Sequence, residues 1–237
     1  WNTYPRPQMR REKWLILNGW WDFTAADERP DQYDRRILVP FCPESSLSGI
    51  GEHFREGIGL WYRRTLTLAE WDGSGHVLLH IGAADYETDV YVNGNHAGNH
   101  VGGYEAMCFD ITAFLQDSNE IVICVKDDLR SNVQPYGKQT LKRGGMWYTP
   151  TTGIWQTVWL ECVPASYIRR FKIDTGSDYV SITAEGADTG TLIVQTPSGA
   201  LSAELIHGHA RLMLPSARMW SPEDPYLYEF TRMFPIT

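Results

Sequence analysis

No run of 18 apolar residues occurs, so nothing reads as a helix that crosses a membrane. No Lys/Arg-rich stripe occurs either, and 29 acidic against 21 basic residues give a formal net charge of −8, which excludes a typical nucleic-acid partner. Cysteine is scarce: Cys42, Cys108, Cys124 and Cys162 form no Cys-x-x-Cys pair, so no close-spaced metal pattern exists. Helical periodicity is missing, since no stretch keeps apolar residues at i, i+3, i+4 and i+7 over three turns. There is no Gly-rich phosphate loop ahead of a helix and no serine nucleophile elbow.

Short alternating runs and aromatic residues are what is present. Aromatics make up 13% of the 237 residues, ten of them Trp. That content favours β-sandwich cores and carbohydrate-facing surfaces, and the length suits one large or two ordinary domains. The expectation is an all-β chain. Cys108, Cys124 and Cys162 fall in apolar runs and are expected as buried, reduced thiols, because a core of this size needs no disulfide. The sequence opens at Trp1 without Met or a signal-peptide pattern. A leader is therefore either removed or encoded outside these residues. The expected location is cytoplasmic, with periplasmic or secreted as the alternatives.

The stretch Gly144–Glu161 organises the chain. From Gly153 it reads as one strand, with Ile154, Val158, Leu160 and Cys162 on one face and Trp155, Thr157, Trp159 and Val163 on the other. Both faces are largely apolar, which predicts a central strand covered on both sides. Pro150 and Gly153 bracket a turn, and the polar stretch Asp127–Arg143 before it predicts a long irregular loop.

Elsewhere, Trp14–Phe23 reads as one first strand behind a peripheral arm. Glu44, Glu52, His53 and Glu56 follow a Pro-rich loop and read as solvated charge. Val77, Leu79 and Ile81 point inward, which puts His80 on the opposite face as a packing residue. Asn93-Gly94 predicts a tight hairpin. His96 and His100 are four apart, but the glycines around them exclude the helix that a chelating pair needs. After Pro164 short runs recur between Gly, Asp, Pro and Ser: 167–173, Tyr179–Glu185, 191–196, 203–206 and 210–214. Such spacing predicts a small β-sandwich and a boundary near Pro164.

The run Tyr148-Thr-Pro-Thr-Thr-Gly-Ile-Trp-Gln-Thr-Val-Trp-Leu-Glu161 resembles the end of the N-terminal domain of glycoside hydrolase family 2. Val92-Asn-Gly94, Gly102-Gly-Tyr104, Phe109-Asp-Ile-Thr112 and Trp220-Ser-Pro-Glu-Asp-Pro-Tyr-Leu-Tyr228 agree with the same family. The resemblance implies a jelly-roll, sugar-binding-like domain over 1–164. An incomplete immunoglobulin-like β-sandwich would follow over 165–237, with one more strand expected about where Thr237 ends the sequence. It implies a β-galactosidase- or β-glucuronidase-type parent whose catalytic residues sit in a TIM barrel. Carbohydrate and that barrel are the implied partners, and a homo-oligomer is compatible. No cofactor and no metal is implied.

Hydrolysis needs two carboxylates about 5 Å apart for retention or about 6.5–9.5 Å apart for inversion. Asp127 and Asp128 are adjacent and point apart, so they cannot flank one bond. Asn119-Glu120 echoes the family's catalytic Asn-Glu pair but opens a sheet strand, so no catalytic residue is assigned. In some members an Asp just before the aromatic pair contacts sugar hydroxyls, and Trp147 stands at that position here. The substrate-binding candidates are Asp127, Asp128, Lys138, Gln139, Trp147 and Tyr148. The alternative functions are an autonomous carbohydrate-binding module and a purely structural or oligomerising scaffold.

Overall fold

The alternating runs fold as antiparallel strands in two units, Trp1–Val163 and Pro164–Thr237. The computed structural model describes residues 3–69, 71–131 and 133–233. The first and last residues named above, Trp1 and Thr237, lie outside the described residues, and so does the final strand expected there.

In chain order the first unit contains β1 (Lys13–Ile16), β2 (Gly19–Ala26), β3 (Arg35–Val39), β4 (Gly59–Leu66), β5 (His76–Ile81) and β6 (Ala84–Asp85). β7 (Glu87–Val92), β8 (Asn95–Val101), β9 (Met107–Asp110), β10 (Asn119–Lys126), β11 (Gly153–Ile154) and β12 (Val158–Val163) complete it. A four-stranded sheet of order β1-β12-β5-β9 faces a six-stranded sheet of order β3-β2-β4-β10-β7-β8. β6 and β11 pair separately. The core lies between the two large sheets. Val77, Leu79, Ile81, Val158 and Leu160 come from one, and Trp21, Phe23, Tyr62, Val90, Ile121 and Ile123 from the other. Each such burial contributes about 1.5–3 kcal/mol. The unit is a jelly-roll β-sandwich. Asn93 and Gly94 take φ of 50° and 84°, which is the geometry a two-residue hairpin loop demands.

Two runs read as single strands are each two. Trp14–Phe23 breaks at Leu17–Asn18, and β1 and β2 lie in opposite sheets. There Leu17 N–H donates to Val158 O (2.8 Å), and Asn18 Oδ1 accepts from Val158 N–H (3.1 Å). Arg64 Nη1 donates to the Leu17 and Asn18 carbonyls. These bonds satisfy the backbone where the chain crosses between sheets. The run from Gly153 is likewise interrupted at Trp155–Thr157. The Trp155 and Gln156 amides both donate to Ala83 O (3.2 and 3.3 Å) instead of continuing the ladder. β12 is nevertheless central, between β1 and β5.

The N-terminal arm is anchored on β12. Glu161 is fully buried and accepts hydrogen bonds from Tyr4 Oη and from Arg6 Nη2 at 2.9 and 2.8 Å. His80 Nε2 lies 3.0 Å from it, with the imidazole stacked on Trp159 at 4.7 Å. All four cysteines are free thiols, but Cys108 is exposed, on the outer side of β9, and Cys162 is half-buried. In β9 Met107 and Phe109 take the inward positions, so alternation sends Cys108 outward.

The second unit contains β13 (Arg170–Thr175), β14 (Tyr179–Glu185), β15 (Thr189–Thr196), β16 (Gly199–Ile206), β17 (His209–Met213) and β18 (Phe230–Met233). They form one antiparallel sheet of order β13-β14-β17-β16-β15-β18. Phe171 of β13 and Phe230 of β18 meet edge to face at 5.6 Å. The two end strands therefore come together, and the sheet curls around Ile182, Leu192, Val194, Leu205, Ala210 and Leu212.

Candidate functional site

Among the described residues between β10 and β11 the chain makes no regular strand, as its polar sequence predicts. The loop is clasped on itself. Tyr148 N–H donates to Lys138 O (2.8 Å) and Thr140 N–H returns to Tyr148 O (3.0 Å). It is also fastened to the sandwich. Thr152 donates to Glu44 from its amide (3.2 Å) and its hydroxyl (2.6 Å), and Thr151 N–H donates to Gln139 Oε1 (2.5 Å). Glu44 is thus no solvated charge: its side chain is 3% exposed, with His53 Nδ1 at 3.6 Å. Gly153, with φ of 74°, closes the loop where a Cβ would collide with the Tyr62 hydroxyl.

The clasp shapes an open groove of about 370 Å³, lined by Glu56, Leu129, Arg130, Tyr136, Gln139, Thr140, Leu141, Lys142 and Trp147. That size suits a small-molecule ligand. Trp147 and Tyr136 are 42% and 37% exposed there, so each has free aromatic surface. Arg130 Nε reaches Glu56 Oε2 at 2.5 Å. Burial and the neighbouring Asp128 push the Glu56 carboxyl up, against the pull of Arg130.

Of the six candidates, Gln139 and Trp147 meet at this groove. Lys138 and Tyr148 flank it; both are exposed, and they are joined through their backbones. Asp128 does not line it: its Oδ1 accepts from Arg130 N–H (2.9 Å) in a local turn. Asp127 does not line it either: it is buried, and its Oδ1 accepts from Gln134 Nε2 at 2.5 Å. The sequence reading missed Asp85, which is 4% exposed. Burial, then the Asp127 charge, pushes its carboxyl up to about 7, while the Gln139 side chain hydrogen-bonds it and pulls it back. Burial also raises Asp127. A Cβ on Gly103 would collide with the Asp85 carboxylate, so the Gly102-Gly-Tyr104 turn leaves space for it. Trp155 Nε1 donates to Gly103 O (2.8 Å) and holds that turn. Nothing in the local pattern around Asp85 marked it, since a single Asp among Ala, Tyr and Glu reads as turn charge. Among the described residues no group of three His, Cys, Asp or Glu is arranged to hold a metal.

Comparison with known proteins gives this arrangement a context. Residues 53–164 match the sugar-binding domain of glycosyl hydrolases family 2. The β-glucuronidase of Felis catus is 30% identical over 95% of this chain and 42% of its own length. A β-galactosidase of Thermoanaerobacter pseudethanolicus is 27% identical over 71% of this chain and 25% of its own. The structure of a Ruminococcus gnavus β-glucuronidase in complex with a C6-substituted uronic isofagomine superposes with a TM-score of 0.76. It is 21% identical, with 96% of this chain and 43% of that one covered. The chain thus spans about two-fifths of the length of the cat relative and of this solved structure. On its sandwich, its motifs and these likenesses, the chain belongs to glycosyl hydrolase family 2 and carries that family's N-terminal sugar-binding domain.

Proposed function

We propose that this chain serves a parent enzyme that hydrolyses β-glycosides, β-glucuronides before β-galactosides, and that its 127–152 loop forms one wall of the sugar site. The observation that carries this reading is the groove itself. It sets an exposed indole, Trp147, beside Gln139, Thr140 and Lys142 on a loop that is clasped twice. An aromatic face with a few convergent polar groups is what a sugar ring needs. Lys142 supplies positive charge suited to a uronate. The order of substrates follows the relatives, since the β-glucuronidase matches more of this chain than the β-galactosidase does. The hydrolytic carboxylates would come from a barrel of the parent, as the family resemblance implies. In that parent, Trp147→Ala should raise KM for an aryl β-glucuronide about tenfold, equal to about 1.4 kcal/mol of lost stacking. The circular dichroism spectrum should not change. A KM equal to that of the wild type would remove the groove from the sugar site.

A further inference from the structure

Charge is spread unevenly along the chain. Of its 21 basic residues four lie within 129–152, namely Arg130, Lys138, Lys142 and Arg143, and none of its 29 acidic residues does. The rest of the chain carries 17 basic against 29 acidic residues, so the groove loop is a basic island on an acidic protein. The island has a fixed backbone, because Tyr148 is bonded to Lys138 and Thr140, and Thr152 is bonded to Glu44. The acidic residues beside it are engaged. Glu56 pairs with Arg130 through Nε, Asp128 accepts from the Arg130 amide, and Asp127 is buried and accepts from Gln134. Arg130 still keeps 79% of its side chain exposed. Lys138, Lys142 and Arg143 are exposed too, and among the described residues none of the three is in an ion pair.

We infer that the 129–152 loop takes an acidic oligosaccharide, with a carboxylate or sulfate on successive sugars, in preference to a neutral glycan or a single sugar acid. The inference rests on the reading of the groove as one wall of a sugar site. Within the groove Trp147 and Tyr136 offer faces for sugar rings, Gln139 and Thr140 can meet hydroxyls, and Lys142 can meet an anion. One uronate ring carries one carboxylate, and Lys142 alone can satisfy it. Lys138 and Arg143 stand next in the chain to the lining run Gln139–Lys142, one before it and one after, so positive charge continues past the groove. A glycan charged at each sugar can meet these cations as well, whereas a lone ring leaves them in water. A nucleic acid also offers anions and rings that stack, but its dense charge would face the acidic remainder of the chain.

The size of the effect follows from exposure. An exposed charge pair is worth about twofold in affinity at low salt, so three together give about tenfold over a neutral glycan of the same length and linkage. A monosaccharide engages one cation and gains only about twofold, which leaves it a weak ligand. The advantage is electrostatic and therefore screened: the Debye length shrinks from about 30 Å at 0.01 M salt to about 3 Å at 1 M. Stacking on Trp147 and hydrogen bonds to Gln139 carry no such dependence, so salt separates the two contributions.

The experiment titrates the full 237-residue chain with three β-1,4-linked tetrasaccharides: cellotetraose, its C6-oxidised tetraglucuronate and its 6-O-sulfated form. Nuclear magnetic resonance shifts of the amides of residues 136–147 locate the contact and give the Kd. The better of the two acidic ligands should bind about tenfold more tightly than cellotetraose in about 0.02 M salt, and at most about twofold more tightly in about 1 M salt. Which of the two binds better identifies the anion as carboxylate or sulfate. Lys138→Gln, Lys142→Gln and Arg143→Gln combined should bring the acidic ligand to the affinity of cellotetraose. The salt titration of the wild type reads the inference without any variant. Equal affinity for neutral and acidic ligands at low salt would overturn it and leave the groove reading standing, whereas no shift in residues 136–147 with any of the three would overturn both. Binding of tetraglutamate or of a thymidine tetranucleotide as tight as that of the acidic tetrasaccharide would make the island a general anion patch and overturn the inference equally.

Discussion

Glu44 shows how much one side chain can settle. Its carboxylate takes both the amide and the hydroxyl of Thr152, which stands 108 residues later in the sequence. Truncation leaves two donors unsatisfied in a half-buried place, and Glu44→Ala should cost about 2 kcal/mol in urea unfolding. Glu44→Gln keeps one acceptor oxygen and should recover part of that loss. A change in Glu44→Ala below about 0.5 kcal/mol would restore the view of Glu44 as a solvated loop charge. Asp85 is the other such residue, buried where Gly103 leaves space for its carboxylate. Trp147 differs from both because it is exposed: its removal should be felt by a ligand and not by the fold.

At the scale of elements, β12 does two jobs. Its apolar residues Val158 and Leu160 complete the core, and Glu161 between Leu160 and Cys162 turns to the other face and holds the N-terminal arm. Burial works against the charge on Glu161, but the hydrogen bonds and charges of His80, Tyr4 and Arg6 outweigh it and bring its carboxyl down to about 2. A depressed carboxyl contributes stability above its ordinary value, 4.5, and that contribution is lost as pH falls toward about 2. Glu161→Gln should therefore cost about 3 kcal/mol at neutral pH, since it leaves Arg6 and His80 facing an uncharged amide. Thermal melts should show wild type and variant converging from about pH 4.5 downward. A stability gap that stays constant down to about pH 2.5 would show that Glu161 acts by packing alone.

At the scale of the whole molecule, the proposed reading gives the chain one wall of a sugar site and leaves the hydrolytic carboxylates to a barrel of the parent. The 237-residue chain by itself should hydrolyse no aryl β-glycoside, and turnover that survives removal of host glycosidases would refute this. An open groove covers one side of a sugar ring and leaves most hydroxyls in water, and association also costs translational freedom. The isolated chain should bind glucuronic acid or galactose with a Kd above about 1 mM, equal to about −4 kcal/mol. Micromolar affinity by calorimetry would instead make the chain an autonomous carbohydrate-binding module. The second unit has a smaller core than the first. Its amides should exchange through local opening at lower free energy than those of β5 or β12, and equal protection in both units would count against this.

The sequence by itself determined the all-β class, the inward face of β5, the Asn93-Gly94 hairpin and the irregular loop after β10. Those features depend on alternation and on turn residues, which are local properties of the chain. It also named Asp127, Asp128, Lys138, Gln139, Trp147 and Tyr148 as sugar-site candidates, through composition and family resemblance, and of these Gln139 and Trp147 line the groove. Tertiary structure alone decided the rest. The breaks at Leu17–Asn18 and Trp155–Thr157 arise because Val158 and Ala83, far off in sequence, take the backbone bonds there. Glu44 read as an ordinary loop charge, and nothing singled out Asp85, because burial is not a local property. Only the closing of the sandwich places Glu44 against Thr152, and Asp85 against Gly103, and removes the water that would have kept them ordinary.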